Sequence, residues 1–266
     1  MNKTFSFQRF SKYFVYDLKS SWHNAGITLL IVSCMPVFVF AFYELFSLLF
    51  AQKFGYLNHG AVIAGYVTSF AIAFLSFPTR QYGRITDKKA GSAWVLLPAS
   101  AFEKFLSMLL ICCIVVPAVW ISLMAATDGL LSLIFKHYGD MTLPVIFNGV
   151  KAMTDALMAE GFNFGVGLGT NFWLNWCADI LFFALAAIVF KKNKIIYGFL
   201  VLWGIGVLLS IILGVGLIMS GNTNVDLNVD HESFVKFMNV FILIVYFVEF
   251  ALLDLGLYFR IKTIKH

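Results

Sequence analysis

Four acidic residues fall inside apolar stretches of the sequence, where a charged group is a candidate for a function. They are Glu44, Asp179, Glu249 and Asp254. Carboxylates at membrane depth are costly, so each is a candidate for binding a cationic ligand or for a proton path. Interfacial placement or hydrogen bonding between helices is the alternative, and we favour it because no Lys or Arg lies deep in these stretches as a partner. Glu249 lies deepest and is the best candidate for an exception.

Motifs for catalysis or cofactor binding are absent from the chain. It contains no Gly-x-x-x-x-Gly-Lys-Ser/Thr, no His-Glu-x-x-His and no Gly-x-Ser-x-Gly. Its four cysteines all lie in apolar stretches and include no Cys-x-x-Cys pair, so neither a disulfide framework nor a metal site is predicted. We therefore predict no catalytic, cofactor-binding or metal site and no enzyme activity in this chain.

The composition is that of a membrane protein. Hydrophobic residues make up 61% of the chain and charged residues 12%, whereas soluble domains are about half apolar and a quarter charged. The net charge of +5 comes from basic residues that flank apolar stretches, which is typical of membrane orientation rather than nucleic-acid binding. The expected fold is a single all-α polytopic membrane domain over residues 1–266.

Six apolar stretches are each long enough to cross a membrane as a helix. They cover residues 25–50, 60–77, 101–126, 171–190, 195–220 and 234–258. Pro36 predicts a kink in the first span. Small residues in the fifth span would allow close helix packing, and these are Gly204, Gly206, Gly214 and Gly216.

The basic residues predict the orientation of these spans. If the six stretches cross in turn, four of the 19 Lys and Arg lie on the side opposite the termini, namely Lys53, Lys136, Lys151 and Lys236. The remaining 15 lie on the side of both termini. Because positive charge concentrates on the cytoplasmic side, we expect both termini to be cytoplasmic.

Two further segments outside the spans have helical patterns. In residues 1–24, apolar residues recur at helical spacing opposite basic ones, the apolar set being Phe7, Phe10, Phe14 and Leu18 and the basic set Arg9, Lys12 and Lys19. This pattern predicts a cytoplasmic helix lying on the membrane surface, with a poorly ordered tail as the alternative. In the outer loop, residues 127–170, we expect a short interfacial helix over 145–158, followed by a flexible Gly-rich loop.

The longest polar segment is the connector, residues 78–104, between the second and third spans. Its five basic residues are Arg80, Arg84, Lys88, Lys89 and Lys104. It ends in Ser100-Ala-Phe-Glu103, which has the form of a capping box and predicts a helix starting at Ala101. Pro98 disfavours helical backbone at Leu97 and separates this helix from residues 88–97.

The connector also carries a family resemblance. Its matching residues are Asp87-Lys88-Lys89, Gly91-Ser92, Leu97-Pro98-Ala99-Ser100 and Lys104. This pattern resembles the loop between the second and third spans in permease subunits of type-2 ABC exporters. Such subunits have six spans, both termini inside and an amphipathic N-terminal helix. The residues that lead into Gly91 include fewer charged side chains than is usual in this family. The outer loop is longer than a simple hairpin.

The resemblance implies a function, partners and a site. The chain would be the permease subunit of an exporter in a bacterial inner membrane, paired as a homodimer or heterodimer and driven by a cytoplasmic ATPase subunit that binds ATP and Mg²⁺. The connector would be the coupling helix, with the set Arg84, Asp87, Lys88, Lys89, Gly91, Pro98, Ser100, Glu103 and Lys104. The charged residues from Arg84 to Lys89 would contact the ATPase, while Ser100 and Glu103 hold the helix start.

Two other classes of function remain open. The same connector would serve a non-transporting multi-pass membrane anchor or regulatory protein, and its charges would also suit an ordinary positive-inside loop. A membrane-embedded enzyme acting on lipid is the third class, which the lack of clustered catalytic groups disfavours.

Overall fold

A computed structural model describes residues 5–50, 59–159, 168–222 and 231–264, and over these ranges the fold is all-helical, as predicted. The helices in chain order are α1 (Phe7–Ser21), α2 (Ile27–Ser33), α3 (Met35–Leu49), α4 (His59–Gln81), α5 (Lys88–Leu96), α6 (Ala101–Leu110), α7 (Val116–Ile134), α8 (Thr142–Ala159), α9 (Leu168–Val189), α10 (Lys194–Asn222) and α11 (His231–Thr263). Two π-helical turns, Trp22–Gly26 and Ile111–Val115, join α1 to α2 and α6 to α7.

Some of these helices are long and apolar enough to cross a membrane. Within the described ranges, His59–Thr86 and Ala101–Ile134 meet this condition, at 28 and 34 residues. The pair Phe7–Ser33 and Met35–Leu49 would add a third span if the two bent halves cross together. Trp176–Val189 and Lys194–Leu208 are shorter apolar helices.

The first predicted span is bent, but its break precedes the proline. Helices α2 and α3 meet at Cys34, whose φ of −84° and ψ of 16° depart from helical values, and the chain turns there by 42°. Pro36 lies in the first turn of α3, where a missing N–H costs nothing. The Ser69 hydroxyl of α4 donates to the Val32 carbonyl at 2.7 Å and so satisfies backbone beside the break.

Two predicted boundaries are wrong because helices continue into the neighbouring segments. Helix α4 runs to Gln81 with Pro78 inside it, so the first four residues of the connector are helical. The Thr79 hydroxyl donates to the Leu75 carbonyl at 2.7 Å within that last turn. Helix α7 likewise continues to Ile134, well into the segment predicted as outer loop, because the apolar sequence past Asp128 still suits a helix.

The core forms where α4, α7 and α9 pack together. Ring centroids of Phe70 and Trp176 lie 4.5 Å apart, and those of Trp120 and Trp176 lie 5.7 Å apart. The Trp120 indole N–H donates to the Ser69 hydroxyl at 2.9 Å, so this buried polar group has a partner. The side chains of Ile180 and Leu181 in α9 are fully buried, which places α9 at the centre of the bundle.

A π-turn in the middle of the third predicted span also contacts α9. It covers Ile111–Val115, and π-turns redirect backbone carbonyls out of the regular α-helical pattern. The carbonyl of Cys112 faces the Trp176 indole N–H at 3.4 Å, and that of Cys113 faces the Cys177 thiol at 4.0 Å. Consecutive residues of α9 thus approach consecutive carbonyls of the π-turn.

The prediction of close packing at the fifth-span glycines is wrong at Gly204 and Gly206. Among the residues whose surroundings the structure describes, a Cβ atom added at either position would meet no atom of another part of the chain within 4 Å. Close approach occurs instead near the start of α10, where a Cβ on Gly198 would lie 3.2 Å from both Phe183 and Ala186. Gly214 and Gly216 lie outside the residues whose surroundings the structure describes.

In the outer loop, the predicted helix is confirmed as α8, which begins three residues earlier than expected. Residues 161–167 of the Gly-rich segment that follows lie outside the described ranges, and its last two residues begin α9.

The contacts place the connecting segments at two opposite ends of the bundle. At one end, Arg9 pairs with Glu103 at the start of α6, and Lys194 contacts Gly83 of the connector. At the other end, Glu44 of α3 lies 3.9 Å from the His137 ring, and His59 lies 3.2 Å from the Thr142 hydroxyl. The N-terminal helix, the connector and the turn before α10 therefore share one end, and α8 lies at the opposite end.

Candidate functional site: the connector and its anchors

The connector folds into a short helix followed by an extended segment. After α4 comes a 3-10 turn, Gly83–Thr86, then α5, and then Leu97 to Ala99. Leu97 has ψ of 133°, as expected for a residue before proline. Pro98 thus separates α5 from α6, as the sequence predicts.

The predicted capping box at the start of α6 is confirmed. The Glu103 N–H donates to the Ser100 hydroxyl at 3.2 Å, and the Ser100 N–H donates to the Glu103 carboxylate at 2.8 Å. Helix α6 begins at Ala101. These two bonds satisfy backbone donors that the first turn would otherwise leave without partners.

Glu103 also binds the N-terminal helix, which the sequence did not indicate. The Ser6 N–H and the Arg9 guanidinium each donate to Glu103 Oε1 at 2.9 Å, and Glu103 is fully buried. We expected Arg9 on a basic face directed at headgroups, and this expectation is wrong. A buried carboxylate needs a positive partner, and Arg9 is that partner.

The buried face of α1 also differs from the predicted apolar face. Phe10, Tyr13 and Asp17 are buried against the bundle, whereas Phe7 and Leu18 of the predicted stripe are exposed. Further exposed apolar side chains on α1 and the π-turn after it are Val15, Tyr16 and Trp22. Helix α1 therefore packs on protein along one face and leaves a separate apolar flank uncovered within this chain.

Asp17 is the polar centre of this packing. Its carboxylate accepts hydrogen bonds from Gln81 Nε2 at 3.1 Å, from the Ser107 hydroxyl at 2.8 Å and from the Tyr82 hydroxyl at 3.4 Å. These donors belong to α4, α6 and the residue that follows α4. The carboxylate therefore ties α1 to the helices on both sides of the connector.

Lys104 is buried rather than part of an exposed basic surface. Its ammonium donates to the carbonyls of Trp94 at 2.8 Å and Val95 at 3.4 Å, and it lies 4.3 Å from the centroid of the Trp94 ring. The indole N–H of Trp94 donates in turn to the Tyr13 hydroxyl of α1 at 3.1 Å. Neither Trp94 nor Tyr13 was singled out in the sequence.

The outward side of the connector carries charge and one large apolar side chain. Arg84 and Asp87 are exposed, Pro98 is exposed, and Leu96 at the end of α5 is 82% exposed. Gly91 is buried. Lys88 and Lys89 form the first turn of α5, and the placement of their side chains lies outside what the structure describes. The predicted contact residues Arg84 and Asp87 are thus exposed, and each also has a partner within the chain, since the Arg84 guanidinium donates to the Asn24 side-chain oxygen and Asp87 lies near Lys194.

The first residue of α10, Lys194, supports the connector from the other side. The Lys194 ammonium donates to the Gly83 carbonyl and lies 3.9 Å from the Asp87 carboxylate. Burial lowers the pKa of Lys194, and the charge of Asp87 opposes this effect. Because the Asp87 carboxylate lies beyond hydrogen-bond distance, Lys194 acts mainly as a donor to the Gly83 carbonyl.

The four acids predicted to lie within spans do not form a common site. Glu44 is half-buried and lies near His137 at the end that carries α8. Asp179 of α9 is half-buried and close enough to Glu249 of α11 to interact electrostatically, while Glu249 itself is exposed. Asp254 is half-buried on α11. Within the described ranges, no group of three or more His, Cys, Asp or Glu side chains is arranged to hold a metal ion.

A fifth acid, Asp128, organises the end of the bundle opposite the connector. It is fully buried and accepts hydrogen bonds from the Tyr138 hydroxyl at 2.5 Å and from the Leu143 N–H at 3.0 Å. Burial and the bond to Asp128 raise the pKa of Tyr138, which keeps its hydroxyl a donor. Asp128 therefore fixes the first turn of α8.

Comparison with known proteins assigns no family to the chain. No protein-family model matches it, and neither the curated proteins nor the solved structures include a significant match.

Proposed function

We propose that this chain is the membrane-spanning permease subunit of an exporter that is driven by a separate ATPase subunit. In this proposal six helical spans cross a bacterial inner membrane with both termini in the cytoplasm. The subunit pairs with a second permease chain, and ATP and Mg²⁺ bind to the ATPase. The transported substrate is not specified by any feature of this chain.

The observation that carries the proposal is the way the connector is held. Its helix α5 is anchored to α6 through Lys104 and to α1 through Trp94, while Arg84 and Asp87 remain exposed. A short exposed helix with rigid anchors can pass a partner's movement into the helices behind it as a rigid-body displacement. A loop that served only to join two spans would not need these two polar anchors.

The two ends of the bundle support the proposed topology. The connector, the N-terminal helix and the turn before α10 lie together, as segments on one side of a membrane would. The end of α3, the start of α4 and the start of α8 lie together at the other end. This arrangement agrees with spans that alternate in direction and with the concentration of basic residues on the connector side.

In this mechanism the ATPase contacts α5 and the movement reaches the far end through a single long helix. Helices α6 and α7 with the π-turn between them run without a break from Ala101 to Ile134. Near one end of this helix, Glu103 and Lys104 hold α1 and α5. Near the other end, Asp128 holds α8. A displacement of the connector is thereby transmitted across the bundle to α8.

The first test is purification of the tagged protein from its native membranes in mild detergent, with mass spectrometry of the proteins that accompany it. We expect a P-loop ATPase in stoichiometric amount. The triple variant Asp87→Ala, Lys88→Ala, Lys89→Ala should no longer bind the ATPase. The control Lys19→Ala removes the same net charge from an exposed position on α1 and should still bind it. Repeated recovery without an ATPase would favour the membrane-anchor function instead.

A second test addresses coupling in the reconstituted complex. The double variant Ser100→Ala, Glu103→Ala should retain ATP hydrolysis and lose substrate movement, because the start of α6 is no longer fixed. An unchanged amount of transport per ATP in this variant would count strongly against the proposed role of the connector.

A further inference from the structure

Trp94 connects α5 to two other helices at once. Its carbonyl accepts a hydrogen bond from Lys104 at 2.8 Å, and its ring lies against the same ammonium at 4.3 Å. Its indole N–H donates to Tyr13 at 3.1 Å. One side chain and its backbone thus contact the first turn of α6 on one side and the buried face of α1 on the other.

The contacts with Lys104 are favourable for three physical reasons. Both carbonyls that accept from this ammonium, those of Trp94 and Val95, belong to the last turn of α5, where no helical N–H follows four residues ahead. The Trp94 carbonyl also accepts the Leu97 N–H at 3.3 Å and has room for the ammonium as a second donor. A helix C-terminus carries partial negative charge and favours a cation. The face of an indole ring attracts a cation as well. Lys104 is buried, so these interactions are poorly screened by water.

The residue next to Lys104 makes a further contact with the N-terminal region. Glu103, the residue before Lys104, binds Ser6 and Arg9 of the N-terminal region. Two adjacent residues of α6 therefore hold different elements, since Glu103 holds the beginning of α1 and Lys104 holds the end of α5. The hydrogen bond between Trp94 and Tyr13 closes the triangle by joining α1 directly to α5.

We propose that Trp94 is a positioning residue that makes α1, α5 and the start of α6 move as one unit. Displacement of α5 then carries the N-terminal helix with it, instead of bending the extended segment around Pro98. The identity of the partner that displaces α5 rests on the proposed function, whereas the joint movement of the three helices does not.

Two conservative substitutions remove the same hydrogen bond from opposite sides. Trp94→Phe keeps an aromatic ring and the carbonyl that Lys104 binds, and Tyr13→Phe keeps the buried ring of α1. The control is Tyr16→Phe, which removes a hydroxyl from an exposed position on the same helix. Lys104→Met removes the ammonium and tests the other side of the triangle.

Hydrogen exchange measured by mass spectrometry on the detergent-solubilised chain tests the joint movement. Each of Trp94→Phe and Tyr13→Phe should raise exchange in both α5 and the first turns of α1, roughly 2- to 10-fold, the factor that one net hydrogen bond represents. The double variant should exchange no faster than either single variant. Unchanged exchange, or effects that multiply in the double variant, would overturn the proposed connection.

The positioning role has a second readout in the complex with the ATPase. Trp94→Phe should bind the ATPase as the parent chain does and hydrolyse ATP, while transport per ATP falls severalfold. A residue with a merely structural role would lower thermal stability and leave this ratio unchanged, and that result would overturn the positioning role. If no ATPase accompanies the chain, the proposed function fails, but the exchange experiment still decides whether the helices move together.

Discussion

Removal of the Glu103 carboxylate is the sharpest test of how α1 is attached to the bundle. The variant Glu103→Ala loses the hydrogen bonds from Ser6, Arg9 and Ser100 at once. Deleting one partner of a buried ion pair typically costs about 3–5 kcal/mol. The Arg9 side chain is 31% exposed and can regain some hydration, so we expect the low end of that range, about 3 kcal/mol.

Thermal unfolding in detergent, followed by far-ultraviolet circular dichroism, measures this effect. For a chain of this size, 1 kcal/mol corresponds to about 2–4 °C in Tm, so Glu103→Ala should lower Tm by roughly 6–12 °C. Glu103→Gln should lower Tm by an intermediate amount. Its amide oxygen still accepts hydrogen bonds, but its NH₂ group cannot accept from the donors that surround the carboxylate.

A double-mutant cycle with Arg9→Ala separates the ion pair from the helix cap. The combined variant should be less destabilised than the two single changes together, by about 1 kcal/mol or more, since either change alone already breaks the same interaction. Lys12→Ala, at an exposed position of α1, is the matched control. A Tm for Glu103→Ala within 2 °C of the parent chain, or full additivity with Arg9→Ala, would refute the docking of α1 on Glu103.

Three further predictions concern other parts of the bundle. Gly65→Ala should destabilise the chain in the same unfolding assay, because its Cβ would lie 2.8 Å from Val39 Cγ2. Gly204→Ala is the control: its Cβ meets no described atom of another part of the chain within 4 Å, so the variant should be as stable as the parent or more stable by up to about 1 kcal/mol. Asp17→Ala should cost several kcal/mol, since three buried donors lose their acceptor at about 1–3 kcal/mol each, and a change below 1 kcal/mol would contradict the buried network. Asp128→Ala should increase hydrogen exchange in the first turns of α8 with no change in α5, and equal protection of α8 in both chains would contradict its anchoring role.

The features that the sequence predicted well are those that depend on neighbouring residues. The capping box depends on residues three apart, so Ser100 and Glu103 were sufficient to place the start of α6. The amphipathic pattern that predicted α8 and the effect of Pro98 on Leu97 also depend only on residues close together in the sequence. Boundaries were less accurate at Pro78, because a proline in the last turn of α4 is tolerated where tertiary packing covers it.

The contacts of α1 depend on residues far along the chain, and this is why they were missed. An amphipathic pattern states that a helix has an apolar face, but it does not distinguish a face buried in protein from one buried in lipid. Asp17 is buried because Ser107, 90 residues later, donates to it. The position of Asp17 between Tyr13 and Ser21 on the inward face was the one local signal available, since an acid at such a position needs buried donors.

Lys104 illustrates the same limit for a charged residue. A lysine in a basic segment next to a span suggests an exposed positive-inside charge, yet its aliphatic stem and ammonium are buried against α5. The acceptors that allow this burial are backbone carbonyls, which exist at the end of every helix and leave no mark in the sequence. Recognising the site required knowing that α5 ends beside the first turn of α6.

The π-turn at Ile111–Val115 sets the angular phase between the two halves of the long helix. A π-turn holds one residue more than an α-helical turn, and one residue corresponds to about 100° of rotation around a helix axis. On one side of it, Glu103, Lys104 and Ser107 face α1 and α5. On the other side, Asp128 faces α8.

If these five residues adopted regular α-helical geometry without a change in their number, one half of the helix would turn by about 100° relative to the other. The connector anchors and the Asp128 contact with α8 would then be out of phase, so that only one set could form. Deleting one residue between 111 and 115 would instead remove the residue that the wider turn holds and leave the two halves about in phase. A deletion elsewhere between Lys104 and Asp128 has no such compensation, so a change in length is tolerated best at the π-turn.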